Sequence, residues 1–251
     1  MAVLDAESID LILRELRPER SELLELLRSL GPEGWEHATE CPLYSVKGVA
    51  THILGDDLSL LSRQRDAAEN GLIQLAGELP GGDFRSLLDT FNDRWVSAAR
   101  FLSTELAVEL LGLTGEWTAA YYEAVDPTAA GEPVGFFGAT GPHSPFWQAI
   151  AREYVERWVH HSQIRRALGL GSLSDHRFLA AGVAVAAAAA GVEAGVPAAE
   201  GDPWTIGPVE LGSPQQAADI LTRAHTADAI RQIASGPTEA VDLLAFFAGR
   251  P

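Results

Sequence analysis

Cysteine and lysine are almost missing from this chain of 251 residues: it holds one of each, Cys41 and Lys47. A single thiol excludes an intramolecular disulfide and fits a reducing compartment, so a cytoplasmic location is the expectation. Positive charge is scarce too. Eighteen basic residues stand against 35 acidic ones, a formal net charge of −17. Such a surface repels phosphate backbones and anionic bilayers, which removes nucleic acid and membrane surfaces from the expected partners. The first residues are acidic and amphipathic, with no basic stretch leading into an apolar run, so no signal peptide is expected. The most apolar stretch, 178–196, is mainly alanine and glycine, too weakly hydrophobic to predict a membrane span. Strand patterns, internal repeats and low-complexity linkers are nearly absent.

What is present is apolar content, 47% of the chain, enough for a substantial core. Helical spacing dominates. Pro18 reads as a helix start leading through Leu23, Leu24, Leu27 and Leu30 to Gly31-Pro32. A second helix starts near Ser45 and runs through Val49, His52, Ile53 and Leu60 toward Ala68, with Gly55 inside it. Asp83 reads as the N-cap of a third, carrying Phe91, Trp95 and Phe101, with Ser103 opening a further segment. Residues 126–142 are rich in glycine and proline and read as a long loop, a candidate lid. Ser144-Pro145 reads as N-cap and first position of a helix ending at Gly169. An alanine-rich helix from Asp175 to about Val196, a short irregular or extended piece at Trp204-Thr205-Ile206, and helices over 214–234 and 238–247 complete the chain. The expected class is mainly α: an antiparallel four-helix bundle from helices near 15–30, 44–70, 84–123 and 145–169. The boundaries follow as a bundle over 1–172 and a small helical C-terminal extension over 173–251.

Candidate chemistry sits in Glu153-Tyr154-Val155-Glu156-Arg157-Trp158-Val159-His160-His161. Glu156 and His160 are four apart, so they share one helix face with Cβ atoms roughly 5–6 Å apart. A carboxylate and an imidazole so placed can ligate one divalent cation, or form only a solvated intrahelical pair. His52, on a helix among apolar residues, is the best candidate for a third ligand. Two imidazoles and a carboxylate leave a coordination position open, the catalytic arrangement for zinc and one that suits other divalent metals. Asp56, one turn beyond His52, with Asn92, Arg94, Arg152 and Gln163, can line the same cavity or lie on exposed helix faces. His161 points about 100° from His160 and reads as a neighbour of the site or a surface residue. His143 reads as a loop residue and Cys41 as a structural thiol.

The run Cys41-Pro42 with Val46, Val49, His52 and Asp56, followed by Asn92-Asp93-Arg94-Trp95, Ala151-Arg152-Glu153-Tyr154-Val155-Glu156-Arg157-Trp158-Val159-His160 and Phe247-Ala248-Gly249-Arg250, resembles the maleylpyruvate isomerase N-terminal domain family. That resemblance implies a DinB-like bundle and a divalent metal, zinc first, held by His52, Glu156 and His160. It further implies mycothiol, a low-molecular-weight thiol, as cosubstrate, and a C-terminal arginine that assists, matched here by Arg250. The sequence departs from the family where Leu43 and Tyr44 stand in place of the aromatic residue after the cysteine.

The expected function is a thiol-dependent isomerase or transferase acting on a small electrophile. Arg94, Arg152 or Arg250 would hold carboxylates, and Asp56, Asn92 and Gln163 would line the cofactor site. The alternatives are a metal-dependent hydrolase or biosynthetic tailoring enzyme without a thiol, and a non-catalytic binding bundle. The expected partners are a small substrate and a small thiol, with the chain a monomer or homodimer.

Overall fold

A computed structural model describes residues 4–138, 142–199 and 201–247. The chain is mainly α, and among the described residues the short strands lie in the second half. It divides into two compact units, Arg20–Ala124 and a composite of Met1–Glu19 with Val125–Pro251. Helix α1, Ala6–Arg28, supplies residues to both. It starts well before Pro18, because Ile9, Ile12 and Leu16 extend upstream the buried stripe that Leu23 and Leu27 continue. Asp5 accepts a hydrogen bond from Ser8 N at 2.8 Å, which caps the helix and holds the Asp5 carboxyl below its usual range. Pro18 therefore lies inside a helix.

In the unit 20–124, α2 is Pro32–Trp35, α3 Val46–Leu60, α4 Gly71–Glu78, α5 Phe84–Ala99 and α6 Thr104–Ala124. Ser45 caps α3 as the sequence predicts. The helix does not run on to Ala68, however. It passes into a π-helical turn, Leu61–Arg65, and stops where Ala67 takes a left-handed φ of 55°. Helix α4, capped by Asn70, was not anticipated. Asp83 caps α5 through Ser86 N at 3.0 Å. The stretch 84–123 is two helices, α5 and α6, parted at 100–103, with Ser103 opening the second as the sequence predicts. Helix α3 packs against both α5 and α6. Its core side is Val46, Val49, Ala50, Ile53, Leu54 and Leu60, all at most 2% exposed.

A charged group is buried in that core. Arg20 donates to both carboxylate oxygens of Asp57, at 2.7 and 3.2 Å, and to Leu111 O, while Thr114 Oγ1 donates to Asp57. Gly115 leaves room for the Arg20 stem, which a Cβ at 115 would approach to 2.8 Å.

In the composite unit, α7 is Trp147–Ala167 and α8 is His176–Ala190. Ser144 and Pro145 do not cap α7. They form a two-residue strand, β2, paired antiparallel with β1, Ala130–Gly131. Helix α8 stops at Gly191, whose φ of 72° ends it short of Val196. Beyond it, β3 (Ala194–Gly195), β4 (Trp204–Ile206) and β5 (Val209–Gly212) form an antiparallel sheet in that order, more extended structure than the expected single piece. Trp204, Ile206, Val209 and Leu211 are its buried positions, alternating with more exposed ones as one buried sheet face requires. The helix predicted over 214–234 is two, α9 (Pro214–Leu221) and α10 (Ala227–Ile233), and α11 follows at Thr238–Leu243.

Candidate metal centre

The unit 20–124 holds His52 and Asp56 on α3. His52 is 8% exposed, and its Nε2 lies 3.4 Å from Asp56 Oδ2. The Tyr44 ring sits 6.1 Å from the imidazole, centroid to centroid, and the Tyr44 hydroxyl donates to Asp93 Oδ1 at 2.7 Å. Burial and the neighbouring Asp93 carboxylate push the Tyr44 pKa far up, so the phenol stays protonated. One cavity of about 250 Å³ takes in His52, Asp56, Asn92, Phe91 and Trp95. Trp95 and Phe91 thus form cavity wall and are half-buried, not fully buried core. Trp95 Nε1 donates to Thr51 O at 2.7 Å. Gly55 makes this possible, since a Cβ there would run into the indole. Gly55→Ala should therefore cost about 1–3 kcal/mol, read as a lowered urea midpoint, although alanine is the better helix former. Arg94 lies elsewhere: its side chain is 55% exposed and pairs with Glu78 at 2.8 Å.

The composite unit holds Glu156, His160 and Gln163 on α7. His160 Nε2 lies 3.7 Å from Glu156 Oε2. On its other side, His160 Nδ1 stands 2.8 Å from Gln163 Oε1, an acceptor. The proton of a neutral imidazole therefore sits on Nδ1, leaving the Nε2 lone pair on the Glu156 side. Gln163 thus orients the His160 ring. Gln163→Leu should weaken metal binding roughly 10–100-fold, as loss of such a partner does elsewhere, with chelator competition as the readout. Glu156 also receives Arg223, NH2 to Oε1 at 3.4 Å. Arg223 takes a left-handed φ of 67°, unusual for a residue with a side chain.

Arg152 is turned to Glu153, at 3.1 Å, and the buried Glu153 also accepts from Arg157 at 3.3 Å. His161 is fully buried and donates from Nδ1 to Glu19 at 2.9 Å, so it is neither a surface residue nor aligned with His160. Arg250 lies outside the described residues.

Arg223, Tyr44 and Glu19 were missed by sequence reasoning. Each reaches its partner across a long stretch of chain, and no local spacing marks it. Glu153 and Arg157, by contrast, show the same four-residue spacing as Glu156 and His160.

The donor chemistry fits a divalent cation. Two ligands each about 2.0–2.1 Å from a tetrahedral metal stand about 3.3 Å apart. The imidazole–carboxylate separations of 3.4 Å on α3 and 3.7 Å on α7 sit close to that value.

Against known proteins, the family model described as the mycothiol maleylpyruvate isomerase N-terminal domain matches residues 16–165, more than half of the chain. No curated protein and no solved structure matches. Among the described residues, no helix is long and apolar enough to cross a membrane. With its helical architecture and its α3 and α7 motifs inside the matched span, the chain belongs to the mycothiol maleylpyruvate isomerase N-terminal domain family.

Proposed function

We propose that this chain is a metal-dependent enzyme that uses a low-molecular-weight thiol, mycothiol first, to isomerise a small electrophile or transfer sulfur to it. The proposed ligands are His52, Glu156 and His160, with zinc the first candidate, and Asp56 is a second carboxylate beside His52. One observation carries the reading: Gln163 fixes the His160 tautomer so that Nε2 is left as an acceptor beside the Glu156 carboxylate. Metal-ligating histidines almost always donate their other ring N–H to such a partner, which supports the reading.

When bound, a divalent cation at these ligands lowers the pKa of a thiol and so supplies a nucleophile near neutral pH. The chain's own residues bind and orient. Arg223 pairs with Glu156 and presents a guanidinium at the same spot, suited to a substrate carboxylate. Arg152 is shared with Glu153 and lies 31% exposed, so it can serve a substrate anion only by leaving that pair. The solvent-directed Arg94 is set aside for this role, while Arg250 retains it as a proposal.

The test is thiol dependence. The cobalt-substituted protein should change its visible spectrum on addition of mycothiol, and turnover of an electrophilic substrate should require the thiol. A spectrum indifferent to every cellular thiol, with turnover in their absence, replaces this reading with the hydrolase or tailoring one. Metal binding without turnover of any electrophile supports the non-catalytic bundle.

A further inference from the structure

Helices α7, α8 and α9 of the composite unit stop in the same way. Just past each, one residue takes a left-handed φ, and the amide after it reaches back to a carbonyl of the final turn. Leu170 N donates to Arg165 O at 2.9 Å, Val192 N to Ala187 O at 3.0 Å and Ala224 N to Asp219 O at 3.0 Å. Glycine is the usual left-handed residue of this motif, because it has no Cβ to crowd the backbone. Gly169, with φ 76°, and Gly191, with φ 72°, follow that rule. The third end carries Arg223, at φ 67°. A side chain is strained there. What the arginine adds is reach: its Nη2 donates to Glu156 Oε1 at 3.4 Å.

The backbone at Arg223 is also held from outside the motif. Arg166, in the last turn of α7, donates from Nη2 to Thr222 O at 2.9 Å and from Nη1 to Thr222 Oγ1 at 2.8 Å. Thr222 is fully buried, and its Oγ1 bonds Ser172 Oγ, which donates to Asp219. The Thr222 carbonyl belongs to the planar peptide that enters Arg223, so the clamp fixes the plane from which the Arg223 side chain departs. Helix α7 thus carries Glu156 and, further along, anchors the residue that meets it.

We infer that Arg223 is a positioning residue, kept where glycine would be less strained because it holds Oε1 of Glu156. Oε2, the oxygen 3.7 Å from His160 Nε2, is then the one offered to a cation. The inference deepens the proposed function and rests on Glu156 and His160 as ligands. A carboxylate that offers one oxygen and not two leaves a coordination position open for a thiol. The guanidinium and a divalent cation repel each other. The Glu156 charge stands between them, however, and the Arg223 side chain is 36% exposed, so solvent screens the pair. That repulsion bears on how tightly the metal binds. The number of oxygens offered bears on its coordination, and the test reads coordination.

The test uses the full chain, metal-free and cobalt-loaded, with 2-mercaptoethanol as the thiol probe. Metal-free Arg223→Gly should unfold at the parent urea midpoint or above it, because glycine suits the turn and a partly exposed ion pair contributes little. Arg223→Ala keeps the strain, loses the pair and should unfold earlier. Both should nevertheless alter the cobalt site alike. With Oε1 released, Glu156 can bind through both oxygens, so the visible absorption should weaken as the coordination number rises. The Kd for the thiol should rise roughly ten-fold, the low end for losing the partner of a ligand. Arg223→Lys, whose ammonium can still meet Oε1, should recover part of the parent spectrum. Equal absorption in parent and Arg223→Gly at equal cobalt content overturns the inference. So does a midpoint that falls as far in Arg223→Gly as in Arg223→Ala, which would mark an ordinary structural arginine. A parent that takes up no cobalt removes the metal reading and this inference with it, whereas cobalt uptake with an unchanged Arg223→Gly spectrum removes this inference alone. A parent spectrum indifferent to the thiol counts against the thiol step, and the absorption of the variants then decides.

Discussion

Trp158→Ala is expected to lower the free energy of unfolding by about 3–5 kcal/mol, the range for removing a large aromatic from a core. Trp158 is fully buried in the composite unit. Its ring lies directly against Gly182 of α8, where a Cβ would clash with it, and its Nε1 donates to Leu173 O at 2.8 Å. Truncation to alanine removes all three supports at once. The cavity left behind faces a glycine that has no side chain to refill it, and the Leu173 carbonyl loses its donor. Since whole domains are stable by roughly 5–15 kcal/mol, this one change consumes a large share of the margin. Trp158→Phe should restore part of the packing while leaving the carbonyl unsatisfied, and should fall between the two. Urea titration decides the matter: an alanine variant with the parent midpoint would mean that the ring does not carry the packing assigned to it.

His160→Ala should strip metal from a protein that otherwise carries about one divalent ion per chain. The proposed site has three protein ligands, and loss of one should weaken binding by more than the roughly 10–100-fold expected when only an orienting partner is lost. His160 is buried, 7% exposed, and bonded to Gln163 one turn away on the same helix, so alanine also removes packing there and loss of fold has to be distinguished from loss of metal. Circular dichroism therefore serves as the control. Thiol-dependent turnover should vanish with the metal and should not return on raising the substrate concentration. Elemental analysis that finds full metal content in a His52→Ala/His160→Ala double variant would remove this site from consideration.

The helical class and the residues of the two motifs could be read from the sequence because both depend on short-range spacing. Four-residue steps put His52 with Asp56 and Glu156 with His160 whatever the rest of the chain does. Ends of elements were less legible. Ser144-Pro145 has the chemistry of a helix start, yet its backbone serves a ladder with Ala130–Gly131, a pairing that local pattern does not encode. Pro18 has the chemistry of a first helical residue, yet Asp5, the cap in use, lies thirteen positions upstream. Partners across the chain were not legible at all. Arg20 and Asp57, His161 and Glu19, and Glu156 and Arg223 are pairs made by tertiary packing between residues that look like ordinary surface charges in the linear text. The same holds for Arg94, which sits beside motif residues in sequence but points to Glu78.

Helix α8 constrains how this protein can change over evolutionary time. From Phe178 to Ala188 every residue is buried, and most are alanine or glycine. At those alanines and the glycine, shrinking a side chain, the usual damage in a core, is nearly impossible: alanine can only become glycine, and glycine cannot shrink. Almost every substitution must add atoms to a space already filled, against Trp158 at position 182. Overpacking of that kind costs typically about 1–3 kcal/mol per site. Mutational drift in α8 is thus one-sided, and larger residues could enter only after Trp158 or another neighbour had become smaller. In a deep mutational scan this helix should stand out as a band where tolerance tracks side-chain volume and hardly responds to polarity among the smallest residues.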